Sequence, residues 1–408
     1  MFNGFSLSTI QDAKWGSTQV NEIWYGQNKI WPTSPYLRNY LTIESLYNNN
    51  DITFIKEGQM QPLTIYVSTD DGQTWTAKTS SDNGGTVLAT LNQGETLLLK
   101  GTNATYGYDL NFGNKTYINS TQSCNIYGNI MSLIYGDNFV GQTTLDHTIN
   151  AYAFAKLFYK CKVVSAENLM LPATTLSVGC YDSLFRECTR LTNTPELPAL
   201  TLDSGCYYEM YRGCSDLFRA KELPATTLAN YCYSGMYADC VYLYYPPTIL
   251  PANEVDYYSY ASMFRGCSAM QYAPSIRATI VNGYGCTSMF YNCSNLYTGP
   301  SISGTSILPA TTLGEYCYAY MFNGCSSLVV APQLPATILT EGCYEFLFMD
   351  CTSLSEIRCS ATDISATNST TGWVTNVYST GTFYKDTNTT WPSGSSGIPS
   401  GWTIINTQ

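Results

Sequence analysis

The six residues Leu171-Pro-Ala-Thr-Thr-Leu176 decide the fold, because the same phrase returns at residues 223–228 and 308–313. Counted with their variants, successive phrases begin 26 or 27 residues apart, except for one step of 32. Self-similarity at such a period is typical of repeat proteins in which each unit stacks on the next. The variants begin at Leu197, Leu250, Ile276 and Leu334.

A second set of recurring residues has the same period. In one unit it reads Phe185-x-x-Cys188-x-x-Leu191. A unit of this size cannot bury these side chains alone, but stacking places like residues in continuous columns, where each buried ring or Leu contributes about 1.5–3 kcal/mol. The one long step recurs here too, and its extra residues around Ser303-Gly304-Thr305 predict a loop. The aromatic positions are Phe158, Phe185, Tyr211, Tyr237, Phe264, Phe290, Phe322 and Phe348.

The 16 cysteines of the chain follow this pattern. Metal ligation is disfavoured, because the sequence holds no Cys-x-x-Cys pair and its single histidine, His147, cannot complete a Cys/His zinc site. We therefore expect small, buried, hydrophobic thiols, with disulfides between neighbouring units as the remaining alternative. No cofactor and no metal is expected.

At these positions the sequence resembles the BspA-like class of leucine-rich repeats, in which a small residue and an aromatic precede x-x-Cys-x-x-Leu and Leu/Ile-Pro follows. Met263-Phe264 and Met289-Phe290 occupy the small-aromatic pair, and the 26-residue period is longer than is usual for the class. The resemblance implies a mainly β protein with a leucine-rich-repeat-type solenoid of about eight repeats over residues 121–360. A degenerate cap unit is expected between Ile126 and Leu145, with Tyr135 near the aromatic column.

Both ends of the chain depart from the repeat. Residues 1–35 contain an alternating stretch around Gly26-Gln-Asn28 that predicts a hairpin, and residues 36–120 carry strand patterns beside the turn Asp70-Asp-Gly72. We interpret them as an N-terminal attachment module and a β-sandwich-like domain. The periodicity stops after Cys359, so residues 361–408 are expected to form a C-terminal cap.

Composition restricts the partners. Charged residues make up 12% of the chain and the net charge is -11 without a basic stripe, so nucleic acid is not an expected partner. No stretch approaches the roughly 18 to 20 consecutive apolar residues of a membrane helix. The first residues lack the pattern of a secretory signal. Neither membrane insertion nor signal-directed export is expected.

Catalysis is not expected either. A Ser/His/Asp or Cys/His unit would have to use His147, beside which the sequence indicates no ordered nucleophile. Paired carboxylates for glycoside hydrolysis are the remaining option, because Glu187 lies one unit before Glu209 and Asp216. Scattered, solvated acids explain the same residues, so a polysaccharide-degrading enzyme is the weakest alternative.

The candidate binding surface follows the aliphatic column. The residue after each aliphatic position varies from unit to unit while its neighbours repeat. Variable aromatic residues on a fixed scaffold stack on sugars or grip a protein, but drift on a solvent face produces the same variation, and both interpretations stay open. The row comprises Thr192, Phe218, Tyr244, Gln271, Tyr297, Val329 and Ser355, with Tyr242, Tyr245 and Tyr272 beside it.

The N-terminal segment is similar to short modules that open many virion proteins of tailed phages, including crAss-like phages of gut Bacteroidales, and some proteins of those hosts. The resemblance implies a non-enzymatic structural or adhesion protein on the virion surface, such as a head- or tail-attached fibre or decoration, made in the host cytoplasm. The implied partners are other virion proteins, a host surface glycan or protein, and further copies in a homo-oligomer, with a trimer expected for a fibre. A bacterial cell-surface adhesin with the same repeats is the alternative. The candidate attachment residues are Ile23, Trp24, Tyr25, Ile30 and Trp31.

Overall fold

The computed structural model of the protein describes residues 39–82, 84–107, 114–302 and 305–407, together with the backbone of four short strands nearer the N-terminus. Those strands form two antiparallel pairs, and the second pair is the predicted hairpin. The side chains of these strands, and residues 26–27 between the second pair, lie outside the described residues. The strands are β1 (Ala13–Trp15), β2 (Thr18–Val20), β3 (Ile23–Tyr25) and β4 (Asn28–Trp31).

Two β-sheets follow, and their buried side chains belong to one hydrophobic core. The strands are β5 (Leu41–Ser45), β6 (Asn50–Glu57), β7 (Thr64–Ser68), β8 (Thr76–Thr79), β9 (Thr86–Leu91), β10 (Thr96–Gly101), β11 (Lys115–Ser120) and β12 (Cys124–Asn129). In the smaller sheet β6 lies between β9 and β11, and in the larger one β10 lies between β5 and β7, with β8 outside β7. In β10, Leu97 and Leu99 are fully buried while Leu98 between them is less buried, as the two-residue period of a strand requires.

The larger sheet continues into the repeats. Strand β12 pairs antiparallel with β5 on one side, and on the other it pairs in parallel with β13 (Val163–Ser165) and β14 (Leu169–Met170). The only α-helix in the described part of the chain is α1 (Ser132–Tyr135), which a 3₁₀ turn at Gly136–Asn138 follows. No helix among the described residues has the length and apolar character needed to cross a membrane. The protein is therefore mainly β, as predicted.

The repeat units stack in register along parallel strands. Residues 26 or 32 positions apart pair side by side, for example Val255 with Val281 and Val281 with Leu313. The extra residues of the long unit fold into an antiparallel pair rather than an open loop, with Ser303 and Gly304 outside the described residues. The remaining strands are β15 (Ile249–Leu250), β16 (Glu254–Val255), β17 (Ser275–Ile276), β18 (Ile280–Val281), β19 (Ser301–Ile302), β20 (Thr305–Ser306), β21 (Thr312–Leu313), β22 (Glu356–Cys359), β23 (Thr382–Asp386) and β24 (Thr403–Thr407).

Each unit also contains a segment of consecutive β-turns, which we call the turn segment; in one unit it covers residues 179–188. Its backbone N–H groups alternate in direction. The N–H of Tyr181 donates to the carbonyl of Cys206 in the next unit at 2.9 Å, whereas the N–H of Leu184 donates back to the carbonyl of Tyr181 at 3.2 Å. Half of the donors therefore close turns inside a unit, and the other half join one unit to the next.

Every fourth residue of a turn segment has positive φ, which is the third position of a type II turn. In one unit these residues are Gly179, Ser183 and Glu187, with φ of 59°, 54° and 61°. A residue with a side chain is disfavoured there by about 1–2 kcal/mol, so the bonds between units must hold this conformation in place. The first such position of each unit, which we call the ladder column, is Tyr152, Gly179, Gly205, Tyr231, Tyr258, Tyr284, Tyr316, Gly342 and Asn368.

Two columns of buried rings run beneath the turn segments. In one column Phe185 stacks on Tyr211 with ring centroids 5.9 Å apart, and in the other Tyr181 stacks on Tyr207 at 5.7 Å. These aromatic residues are almost completely buried, which confirms the prediction that matching residues line the interior of the stack. The second column is visible in the sequence only after the turn segments are aligned.

All 16 cysteines are buried and free, as the prediction of small hydrophobic thiols requires. In the column three residues after the aromatics, the thiol has a second role. The Sγ atom of Cys240 donates to the carbonyl oxygen of Tyr211 in the preceding unit at 3.1 Å, and Cys267 donates to Tyr237 in the same way. Burial raises the pKa of the Cys240 thiol to about 12. The thiols of Cys240 and Cys267 therefore stay protonated and join one unit to the next.

The ends of the stack differ from the prediction in two respects. Tyr135, which was expected near the column of Phe158, lies in α1 and makes no ring contact with Phe158 among the described residues. Tyr106 instead begins the other ring column, where its ring stacks on Phe154 with centroids 6.5 Å apart. The stacking also continues beyond Cys359, where the sequence period stops. Trp373 contacts both ring columns there, because its indole is large enough to cover two positions, and β23 and β24 extend the parallel sheet.

Glycine substitutions test the backbone conformation of the turn segments. Ser262 has φ of 54° at a position where Gly235 stands in the preceding unit. We expect Ser262→Gly to stabilise the protein by about 0.5–1 kcal/mol, because the relief of backbone strain exceeds the entropy that glycine gains on unfolding. Ser294→Gly, at a position without positive φ, should destabilise it by a similar amount. Urea unfolding measures both, and equal losses would contradict the prediction.

Candidate functional site

The predicted row of variable residues lies on one face of the stack. The N–H of Thr192 donates to the carbonyl of Val164 at 2.9 Å, and the N–H of Ser355 donates to that of Val329 at the same distance. The next residue along the chain forms parallel bridges from unit to unit, as between Tyr272 and Thr298. The backbone therefore fixes the spacing of the row, and its side chains are free to differ.

The middle of this row carries a cluster of aromatic rings, which we call the Phe218 surface: Phe218, Arg219, Tyr244 and Tyr245. Phe218 is 52% exposed, and its ring lies 5.8 Å from the Tyr244 ring and 5.3 Å from the Tyr245 ring, centroid to centroid. The guanidinium of Arg219 lies 4.1 Å from the centroid of Tyr245. Rings and a cation held in this way give a rigid, amphipathic surface with little entropy left to lose on binding.

The other residues of the row are less closely joined. The hydroxyl of Tyr244 donates to Gln271 Oε1 at 3.1 Å, which links that glutamine to the Phe218 surface. Tyr242, Tyr272 and Tyr297 are exposed, but no ring contact joins them to the cluster within the described residues. Thr192, Gln271, Val329 and Ser355 are half-buried.

The candidate attachment residues lie on the N-terminal hairpin. Ile23, Trp24 and Tyr25 form β3, and Ile30 and Trp31 belong to β4. Ile23 is paired with Trp31 across the hairpin, and Tyr25 with Asn28. The side chains of all five candidates lie outside the described residues.

A second aromatic surface, which the row did not include, lies along the ladder column. The rings of Tyr231, Tyr258, Tyr284 and Tyr316 stack in sequence with centroids 4.9 to 5.1 Å apart. Burial, with the neighbouring tyrosines, raises the pKa of Tyr258 to about 12. The signal in the sequence is a tyrosine or glycine six residues before each aromatic of the main repeat, and it can be interpreted only once the turn conformation is known.

The three candidate catalytic carboxylates stand in different environments. Both oxygens of Glu209 are ion-paired, Oε2 with Arg186 and Oε1 with Arg212, and its side chain is only 7% exposed. Glu187 lies 3.4 Å from Lys160 Nζ and is much more open, and Asp216 is exposed. Glu209 is therefore the centre of an ion-pair network that joins neighbouring units, and neither of its oxygens is left to face a substrate.

The remaining candidates for catalysis or metal binding among the described residues are His147 and any cluster of metal-ligating side chains. His147 Nδ1 lies 2.7 Å from Asp203 Oδ2, and the histidine side chain is 66% exposed. Within the described residues, no group of three or more His, Cys, Asp or Glu residues is arranged to hold a metal ion.

Comparison with known proteins adds no assignment to this geometry. No family model, no curated protein and no solved structure matches the chain.

Alanine substitutions of Glu209 and Glu187 distinguish a buried, ion-paired carboxylate from a solvent-exposed one. We expect Glu209→Ala to destabilise the protein by about 3–5 kcal/mol, because it leaves two arginines beside an empty, buried position. Glu187→Ala, also at positive φ, is the matched control and should cost about 1 kcal/mol or less. The measurement is urea unfolding, and similar small losses for both variants would refute the buried network.

Proposed function

We propose that the protein is a non-enzymatic recognition protein, in which a leucine-rich-repeat-type solenoid of the BspA-like class holds the Phe218 surface toward a partner. Support for the solenoid comes from the parallel pairing of successive units, the continuous column of stacked rings from Phe158 to Phe348 and the buried thiols beside it. The single observation that carries the function is the cluster of exposed rings around Phe218 on an otherwise regular stack. Rigid aromatic residues and arginine are the residue types that contribute most at protein interfaces.

We propose a tailed-phage particle as the setting, with residues 1–35 as the attachment module to other virion proteins and the stack directed toward the host. The paired strands β3 and β4 are compatible with a compact attachment hairpin. The same surface would serve a bacterial cell-surface adhesin. A polysaccharide-degrading enzyme is less well supported, because both oxygens of Glu209 are held by arginine.

Binding to whole cells tests the recognition function. Fluorescently labelled full-length protein should bind gut Bacteroidales cells, and Phe218→Ala should weaken the binding about tenfold or more, as expected for a central interface residue. Tyr378→Ala, an equally exposed ring outside the row, is the control and should bind like the wild type. Titration by flow cytometry gives both affinities, and unchanged binding of Phe218→Ala would refute the role of this surface.

Particle labelling tests the setting. If the protein belongs to a virion, antibodies against residues 121–360 should decorate purified phage particles in electron micrographs. The free full-length protein should sediment as a homo-oligomer, with a trimer expected, because fibres are commonly attached as symmetric assemblies. Labelling of bacterial envelopes in place of particles would favour the adhesin alternative.

A further inference from the structure

The ladder column is interrupted at Gly179 and Gly205, and a cleft of about 320 Å³ opens there. It lies between the rings of Tyr152 and Tyr231, with Asp182 and Tyr208 among its lining residues. This volume is at the lower end of the range for small-molecule sites, so the cleft suits a ligand of about one ring. The cleft shares no residue with the Phe218 surface and is therefore independent of the proposed function.

The spacing of the stack sets the width of the cleft. Where the ladder is continuous, neighbouring rings are 4.9 to 5.1 Å apart and leave no room between them. Tyr152 and Tyr231 are three units apart, or about 14 Å at the usual separation of neighbouring strands. After the thickness of the rings is subtracted, roughly 11 Å remains between their faces, so a saturated six-membered ring fits against one wall without touching the other.

The two glycines differ in what they leave open. The Tyr152 ring lies over Gly179, where a Cβ atom would come within 2.4 Å of it. At Gly205 a Cβ atom would meet nothing closer than the Cβ of Tyr208, at 3.9 Å. The open part of the cleft is therefore over Gly205, beside Tyr231.

Asp182 is the feature that stacking alone does not explain. Asp182 is 1% exposed, and its Oδ1 atom has no partner in full hydrogen-bond geometry among the described residues, although the Ser183 hydroxyl lies close enough to lower its pKa. A buried acceptor without a donor costs about 1–3 kcal/mol, which a ligand hydroxyl would recover. Burial raises the pKa of this carboxyl to about 6.

Comparison with the other units separates packing from binding. Where the ladder column holds tyrosine, the residue three positions later is small, as at Ala155, Ser234 and Ala261. Where it holds glycine, a larger residue stands there, namely Asp182, Tyr208 or Glu345, and Tyr208 is explained by this exchange of volume. Glu345 remains partly exposed, whereas Asp182 is buried and must be desolvated. Lys156 and Arg186 offset part of that cost, but the Oδ1 atom is still left without a well-placed donor.

We propose that this cleft binds a single pyranose ring of a glycan, with one face of the sugar against Tyr231 and a hydroxyl group donating to Asp182. A pyranose has C–H groups on its faces and hydroxyls at its edge, which matches apolar ring walls and one buried acceptor. A cationic ligand fits less well, because Lys156 and Arg186 already lie close enough to Asp182 to stabilise its negative charge.

Saturation-transfer NMR on the full chain tests this proposal. The probes are the methyl glycosides of glucose, galactose, mannose, N-acetylglucosamine and fucose, with indole and tetramethylammonium as probes of the other ring and cation chemistries. We expect at least one glycoside to receive saturation from the protein, with millimolar affinity. The Phe218→Ala variant should give the same signal, which separates this site from the recognition surface.

Two variants locate the site. Gly205→Tyr combined with Tyr208→Ser fills the cleft by extending the ladder, because it reproduces the pairing of Tyr231 with Ser234, and tyrosine adopts positive φ at the same column in Tyr231 and Tyr258. It should reduce glycoside affinity at least tenfold. Gly213→Asn is the control for strain in the same unit, since Asn292 stands at the equivalent position with φ of 58°, and it should bind like the wild type.

Asp182→Asn tests the acceptor without filling the cleft. An ionised carboxylate is the stronger acceptor, so wild-type affinity should fall several-fold as pH is lowered through about 6, with Lys156, Arg186 and Glu209 as the surrounding charges. The Asp182→Asn variant should bind more weakly and without this pH dependence. Absence of saturation transfer to every glycoside, a signal from indole or tetramethylammonium alone, or full binding by the Gly205→Tyr/Tyr208→Ser variant would overturn the proposal.

Discussion

The alternating direction of the backbone N–H groups in the turn segments is the constraint on which the whole stack depends. One N–H closes a turn, and the next reaches a carbonyl of the following unit at 2.7 to 3.1 Å. This alternation is possible only because every fourth residue takes positive φ, including bulky residues such as Tyr231 and Phe346. Neither the turns nor the bonds between units would persist alone, since each supplies the geometry that the other needs.

The sequence was sufficient to predict which residues line the interior of the stack. It was not sufficient to predict the backbone conformation of the turn segments. The columns at Phe185, Cys188 and Leu191 follow from the repeat, because identical residues at a fixed period have to meet when the units stack. The turn segments were missed, since positive φ is normally read from glycine or asparagine and the chain places lysine, serine, glutamate and tyrosine there. The propensity of a residue for positive φ reflects the average cost of that conformation over many proteins. It does not include the hydrogen bonds between units that offset the cost in this fold.

Of the two candidate sites, the sequence indicated one and not the other. The row beside the aliphatic column was visible because its residues vary where their neighbours do not, and the structure brings Phe218, Tyr244 and Tyr245 together. The contrast between tyrosine and glycine in the ladder column was also present in the sequence. It could not be interpreted, because nothing in the sequence indicates that these residues share a line on the surface, or that Asp182 lines the same cleft as two of the glycines.

In such a stack a distinctive site arises where a column is broken. A continuous column presents the same chemistry at each step, whereas an interruption such as Gly179 and Gly205 creates an enclosure with walls from different units. The charged network around Glu209 and the thiols that bond the preceding carbonyls hold those walls at a fixed distance. The residues that recur in every unit therefore set the dimensions of such a cleft, and the residues that depart from the repeat set its chemical lining.

The parallel register of one unit against the next has a consequence for how such a gene changes length. Each unit offers its successor the same edge of donors and acceptors, so recombination that removes or duplicates a whole period leaves every junction intact. A frame-preserving gain of a few codons is compatible with the stack where the added residues pair with each other, as in the short antiparallel β19–β20 pair. The length of the stack can therefore increase or decrease by whole units without any change to the residues of the interior.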